Sequence, residues 1–412
     1  SSLTTVGSSC RGWLKARTLR GSAHRIPTGQ AHAVVGYPRK TSIMLKKFFK
    51  RLAAWISIFT ASTAGAYDNT RTPPFEPAKT GRGFQSISIH PNGEEWLISE
   101  YSDAFTPYSV CYLLIYNLRD HTYQRLDLPK NYSYVEANFS QSGEQIVFVR
   151  QPPSTKGDHA DIMNSYANGE IVIMNRDGSG YRVLPIPRNR IVGPALSPSG
   201  QKLAYLVASS DKPRSRGMHI AFFEIWEFDF KSGEHQLFAG PINFYHAAVI
   251  SYLSESEIIA GAIFPEHTGT VERPDYLNQY RGSEIFRIKR GMRFAPEPSY
   301  YDLAYAKFPT IDLQGDIFYQ AEVAKVGISL VRKNHSDNTT VWREPLMNMA
   351  SVSQYVAAPA GDYVGFIYGG PPLRTKQGTS ALGYFDLKTE KWIPVIPPLV
   401  SESTLIPLKL HH

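Results

Sequence analysis

Asp158-His159-Ala160-Asp161 places two carboxylates beside an imidazole, a set that can ligate a metal or relay a proton. Its spacing matches no established ligand motif, and a polar surface loop is the plainer reading. His246, in NFYHAAVIS, is either a satisfied core histidine or a side chain facing a central channel. A broader signal is cationic. Lys156, Lys212, Arg214, Arg216, Arg273, Arg281, Arg374 and Lys376, with His159, His219 and His267, fall in irregular stretches between apolar runs. If those stretches converge, the cluster favours an anionic ligand, with Arg suited to carboxylate or phosphate. The plain alternative is a set of solvated loop charges offset by neighbouring acids. No G-x-S-x-G elbow, Walker loop, Rossmann fingerprint or Cys-based zinc pattern occurs, so no catalytic residue, metal ligand or cofactor is assigned.

Whatever positions these residues is built on a repeat. Gly193–Leu206, GPALSPSGQKLAYL, has two short alternating apolar runs around a Pro/Gly turn, the pattern of a β-hairpin. Variants occur at Ser86–Ser99, Ala137–Val149, Ala306–Gln320 and Tyr355–Tyr368, and a copy without glycine at Ala247–Ala262. The turn glycines Gly93, Gly143, Gly200, Gly315 and Gly361 are 50, 57, 115 and 46 residues apart, the third interval being two periods. A period of roughly 40–60 residues carrying several strands implies a propeller. Six units follow, each of four strands A to D, so the fold class is all-β: a six-bladed β-propeller of four-stranded antiparallel blades over residues 84–397. One sheet cannot bury both faces, and radial packing of sheets covers them.

The motif ALSPSGQKLAYL is similar to the repeats of TolB-like, WD-repeat-like β-propellers of the bacterial periplasm. The resemblance covers about Phe84–Ile396 and implies fold rather than function. TolB itself carries an α/β domain ahead of its propeller, which Tyr67–Gly83 is too short to supply, so a Tol–Pal role is not implied. His159, His219, His246 and His267 could together resemble the His-based metal centre of propeller polysaccharide lyases, although that pattern does not align residue by residue.

The remaining segments set the context. Met44–Ala66 has a basic start, an apolar stretch and a small-residue Ala64-Gly65-Ala66 end, the pattern of a Sec-type signal peptide. Residues 1–43 read as an unstructured or non-native upstream extension, 67–83 as a linker and 398–412 as a C-terminal tail. The net charge of +8 is a property of the leader: residues 1–66 hold eleven of the 44 basic residues and none of the 36 acidic ones. From Tyr67 onward 33 basic residues face 36 acidic ones, which removes the main support for nucleic-acid binding. Cys111 is the one cysteine after the leader, so no intramolecular disulfide is expected there, and it reads as a buried small hydrophobe.

With both hairpin turns of each blade on one face, the B–C connections emerge on the other. They are Tyr101–Val110, Gln151–Asn168, Ser209–Ala221, Pro265–Gly282 and Gly369–Ser380, and they hold the cationic set. The sequence therefore points to an exported, periplasmic, non-catalytic binding or scaffold propeller. Its long-loop face would take a protein partner or an anionic, glycan-like ligand. Neither nucleic acid nor a stable membrane span is expected. The alternative is a metal-dependent lyase or hydrolase acting on acidic polysaccharide.

Overall fold

The structure, a computed structural model, describes residues 82–102, 110–155, 159–188, 190–214, 217–240, 244, 246–263, 284–293, 305–323, 327–334, 340–345, 352–369, 380–398 and 404–409. All belong to the compact unit Asp68–His412. The leader, Cys10 and the upstream extension lie outside the described residues.

Six sheets succeed one another along the chain, one per unit. Blade 1 comprises β1 (Phe84–Ile89), β2 (Glu95–Tyr101), β3 (Cys111–Asn117) and β4 (Tyr123–Leu126). Blade 2 comprises β5 (Ser133–Phe139), β6 (Gln145–Gln151), β7 (Glu170–Asn175) and β8 (Arg182–Val183), with helix α1 (His159–Ala167) between β6 and β7. Blade 3 holds β9 (Ile191–Leu196), β10 (Lys202–Arg214), β11 (Gly217–Asp229) and β12 (His235–Leu237). Blade 4 has three described strands, β13 (His246–Ser254), β14 (Glu257–Ile263) and β15 (Glu284–Lys289). Blade 5 holds β16 (Tyr305–Ile311), β17 (Ile317–Val323), β18 (Gly327–Lys333) and β19 (Thr340–Pro345). Blade 6 holds β20 (Val352–Ala357), β21 (Tyr363–Gly369), β22 (Ser380–Asp386) and β23 (Lys391–Val395). Within each blade, consecutive strands pair antiparallel. Among the described residues, no helix is long and apolar enough to cross a membrane.

Period-two alternation gives each second strand two buried faces. Along β2, Trp96 and Ile98 pack toward blade 6, whereas Leu97 packs toward blade 2. Along β6, Ile146 and Phe148 face blade 1, and Val147 and Val149 face blade 3. The core is accordingly a ring of apolar layers between neighbouring blades. Cys111 lies in one of them, 1% exposed, and burial pushes its thiol pKa up to about 12.

The repeated turns explain the glycines. Gly93, Gly143, Gly200, Gly315 and Gly361 all have φ between +68° and +84°, a region open to Gly and strained for other residues. In blade 4, Ser254 pairs with Glu257 across a two-residue turn, and the copy dispenses with glycine. At Gly143 a Cβ would also lie 2.0 Å from His90 Nε2, whose ring packs edge-on against Phe139, whereas at Gly93 it would meet nothing within 4 Å. Gly93→Ala is expected to cost about 1 kcal/mol and Gly143→Ala about 2 kcal/mol, because the latter also displaces His90. Equal shifts in their urea midpoints would contradict this account.

Polar contacts reinforce the apolar seam between first and last blades. Arg82, just before β1, pairs through Nε and Nη2 with both oxygens of Glu100 at 2.7 Å. It also donates to the carbonyls of Pro397 and Pro398 beyond β23. Residues assigned from the sequence to a tail also contribute β24 (Thr404–Ile406), which adds to the outer edge of blade 1 in parallel with β4. The chain then runs to blade 2, where Lys409 N–H donates to Gly178 O and Lys409 Nζ meets Asp177 at 2.7 Å.

Candidate functional site

The innermost strands β1, β5, β9, β13, β16 and β20 surround a central channel. Two cavities, of about 180 and 260 Å3, share Asn138, Ile250, Ser251, Thr310 and Val356 and are parts of one passage. An inner strand has a ladder partner on one side only, so its channel-side backbone groups need other partners. Side chains of the neighbouring blade supply them. Ser88 Oγ accepts from Phe139 N–H, Thr310 Oγ1 from Ala357 N–H, and the Gln354 amide bonds both N–H and C=O of Ile87. Most channel polarity is therefore engaged in joining blades.

Every inner strand is also bulged at the same height, re-aiming the residue there. In blade 1 that residue is Gln85, whose Oε1 accepts from Glu136 N–H at 3.0 Å. In blade 2 it is Glu136, whose Oε2 accepts from Gly193 N–H at 2.5 Å. In blade 3 it is Gly193, with φ +62°; Glu136 shares this left-handed conformation at φ +54° without being glycine. Enclosure by protein raises the Glu136 carboxyl pKa to about 7, against the smaller lowering effect of the Gly193 N–H. Among the described residues, no cation contributes. Tyr166 of α1 is, among the described residues, a titratable side chain near enough to feel its charge, and its own pKa is raised, first by burial and then by Glu136.

On the B–C side, two connections differ from the expected loops. Ser209–Ala221 is mostly strand: β10 and β11 stay paired to Arg214↔Gly217, with Lys212 opposite His219. Beyond Val207 the arm no longer pairs with β9, a setting in which Pro213 is tolerated within a strand. Gln151–Asn168 contains α1, which starts at His159. Asp161 accepts from Ser154 Oγ and Thr155 N–H at 2.6 Å each, tying the preceding loop to the first helical turn. Helix α1 packs against β11 and β9, so the insertions of blades 2 and 3 form one continuous rim.

This rim places His159, Lys212, Arg214 and His219 on two packed elements by their backbone positions. Lys156, Arg216, His267, Arg273, Arg281, Arg374 and Lys376 lie outside the described residues, as does the side chain of His246 at the start of β13. Among the described residues, no group of three His, Cys, Asp or Glu side chains is arranged to hold a metal. Sequence reading missed Glu136; aligning the inner strands on Gln85, Glu136 and Gly193 would have exposed the one charged residue among the three.

Together the ring of six sheets and its channel define a six-bladed β-propeller. The chain superposes on TolB from Acinetobacter baumannii with a TM-score of 0.50 at 11% identity, over 77% of this chain and 64% of that one. It thus spans less than two thirds of that TolB. An oligogalacturonate lyase from Vibrio parahaemolyticus follows, with a TM-score of 0.47 at 10% identity over 77% and 80% of the two chains. No protein-family profile and no curated protein matches the sequence. Likeness at such identity defines the fold alone.

Proposed function

We propose that this protein is a periplasmic binding or scaffold propeller that engages a protein partner or an anionic, glycan-like ligand through its B–C face. The observation that carries this reading is the rim of α1 and the β10–β11 arm. It is an addition to the blade repeat that the ring does not need for closure, and it lies on the face where the sequence concentrates its cationic residues. Rigid scaffolds commonly carry recognition on such additions. The leader pattern of Met44–Ala66 supports export, and the charge balance after Tyr67 argues against nucleic acid.

The test is charge reversal on the arm. A Lys212→Glu, Arg214→Glu, Arg216→Glu variant is expected to lose at least about tenfold in retention on polygalacturonate beads or in recovery of partners from periplasmic extract, as expected for loss of close charge pairs. Unchanged retention and an unchanged set of recovered partners would remove this face from consideration. Turnover of a uronate panel by the same preparation would replace the binding reading with the lyase one.

A further inference from the structure

We propose that the channel holds a binding site for a primary ammonium group on a short aliphatic stem, with Glu136 as its counter-charge. Gln85, one blade earlier at the same bulge, caps the next blade's N–H with a neutral amide oxygen. Glu136 makes the equivalent bond to Gly193. A neutral side chain therefore suffices for blade joining, and the negative charge is surplus to it.

That charge is also held at a cost. It sits on a left-handed backbone where the next blade uses glycine, and in an enclosed site with no cationic neighbour among the described residues. Among the described residues only Oε2 has a partner, and Glu136 lines the cavity of about 260 Å3. Two residues on, Asn138 lines the same cavity; its amide nitrogen donates to Pro194 O at 3.0 Å and Glu136 O at 3.3 Å, so its remaining polar atom, Oδ1, is an acceptor. An ammonium, with three donors and a full charge, matches one carboxylate oxygen plus neutral acceptors. Val249 and Val356 offer apolar surface for its stem. Among the described residues, the groups facing Glu136 from the packed elements are neutral: Gln85 from β1, Gly193 from β9 and Tyr166 from α1.

This site lies inside the channel, beside α1 of the rim, and prefers the opposite charge, so either can fail alone. The experiment titrates the full propeller with n-butylammonium and, separately, with a lysine-bearing pentapeptide, following the 13C signal of the Glu136 carboxyl. Saturable binding of either probe with a fall in the Glu136 pKa is expected, since a bound cation favours the carboxylate. Binding to the pentapeptide alone would identify a partner's lysine as the source of the ammonium, and binding to butylammonium a free amine. Tetramethylammonium, which cannot donate hydrogen bonds, is expected to bind at least about tenfold more weakly. Glu136→Gln, with circular dichroism confirming its fold, is expected to lose at least about tenfold in affinity. Absence of saturation by both probes, an unmoved Glu136 signal, or equal affinity in Glu136→Gln would each overturn the proposal.

Discussion

Arg82→Ala is expected to lower the stability of the propeller by about 3–5 kcal/mol, the range for removing one partner of a buried ion pair. Arg82 and Glu100 are 11% and 4% exposed, and the pair is bidentate. Tyr123 donates its hydroxyl to the same Glu100 carboxylate, so the anion is built into the blade 1 core and cannot move out to water. The substitution leaves that charge without a cation and releases the Pro397 and Pro398 carbonyls. Because those carbonyls follow blade 6 while Arg82 precedes blade 1, the loss falls on the seam. Urea unfolding gives the magnitude, and Arg82→Ala in a Glu100→Gln background separates the stranded charge from the lost seam bonds. If the pair governs, the double variant recovers about half or more of the loss. A single-variant shift below about 1 kcal/mol would show that the seam is held elsewhere.

Glu136→Gln should act in the opposite direction and only at higher pH. The folded-state pKa of this carboxyl is raised to about 7 from an ordinary 4.5, so the folded state binds its proton more tightly than the unfolded chain. Below about pH 4.5 both states are protonated and Glu136 costs nothing. As pH rises toward 7 the unfolded chain loses its proton first and wild-type stability falls, levelling off once the folded carboxyl also ionises. Allowing for partial access from the channel, the penalty at pH 8 is about 2 kcal/mol. The Gln variant keeps an acceptor for Gly193 N–H and removes the titration. Urea midpoints at pH 4 and pH 8 are expected to coincide with wild type at the first and exceed it at the second. A variant less stable than wild type at pH 8 would show that the charge supports the fold. With the Arg82 variant, this experiment separates a charge the fold requires from one it carries at a cost.

The architecture was legible because its signal is a backbone constraint. A left-handed turn admits few residue types, so Gly93, Gly143, Gly200, Gly315 and Gly361 mark the blades directly. Alternation in strands such as β2 and β6 reports burial on both faces. The connections were less legible. Ser209–Ala221 reads as a polar loop because charged residues and Pro213 are ordinarily poor strand formers, yet an arm with one paired edge accommodates them. Helix α1 is short and only weakly amphipathic, so no period announces it. Strand β24 is three residues long and depends on a partner in blade 1, which local sequence cannot report. Glu136 is one letter in an alternating strand, and its meaning comes from residues 51 positions before it and 57 after it.

The pairing of β24 with β4 joins Thr404 to Gln124, some 280 residues apart in the chain. During synthesis, the outer edge of the first blade is made long before the strand that covers it. Until then β4 presents an open row of backbone donors and acceptors to any other extended segment. Ring completion is therefore ordered in time: the last described strand seals the first blade. A chain halted before residue 404 would keep that edge open and be prone to pairing with its neighbours. The fold thus links synthesis of β24 to a protected edge, a form of quality control that needs no second molecule.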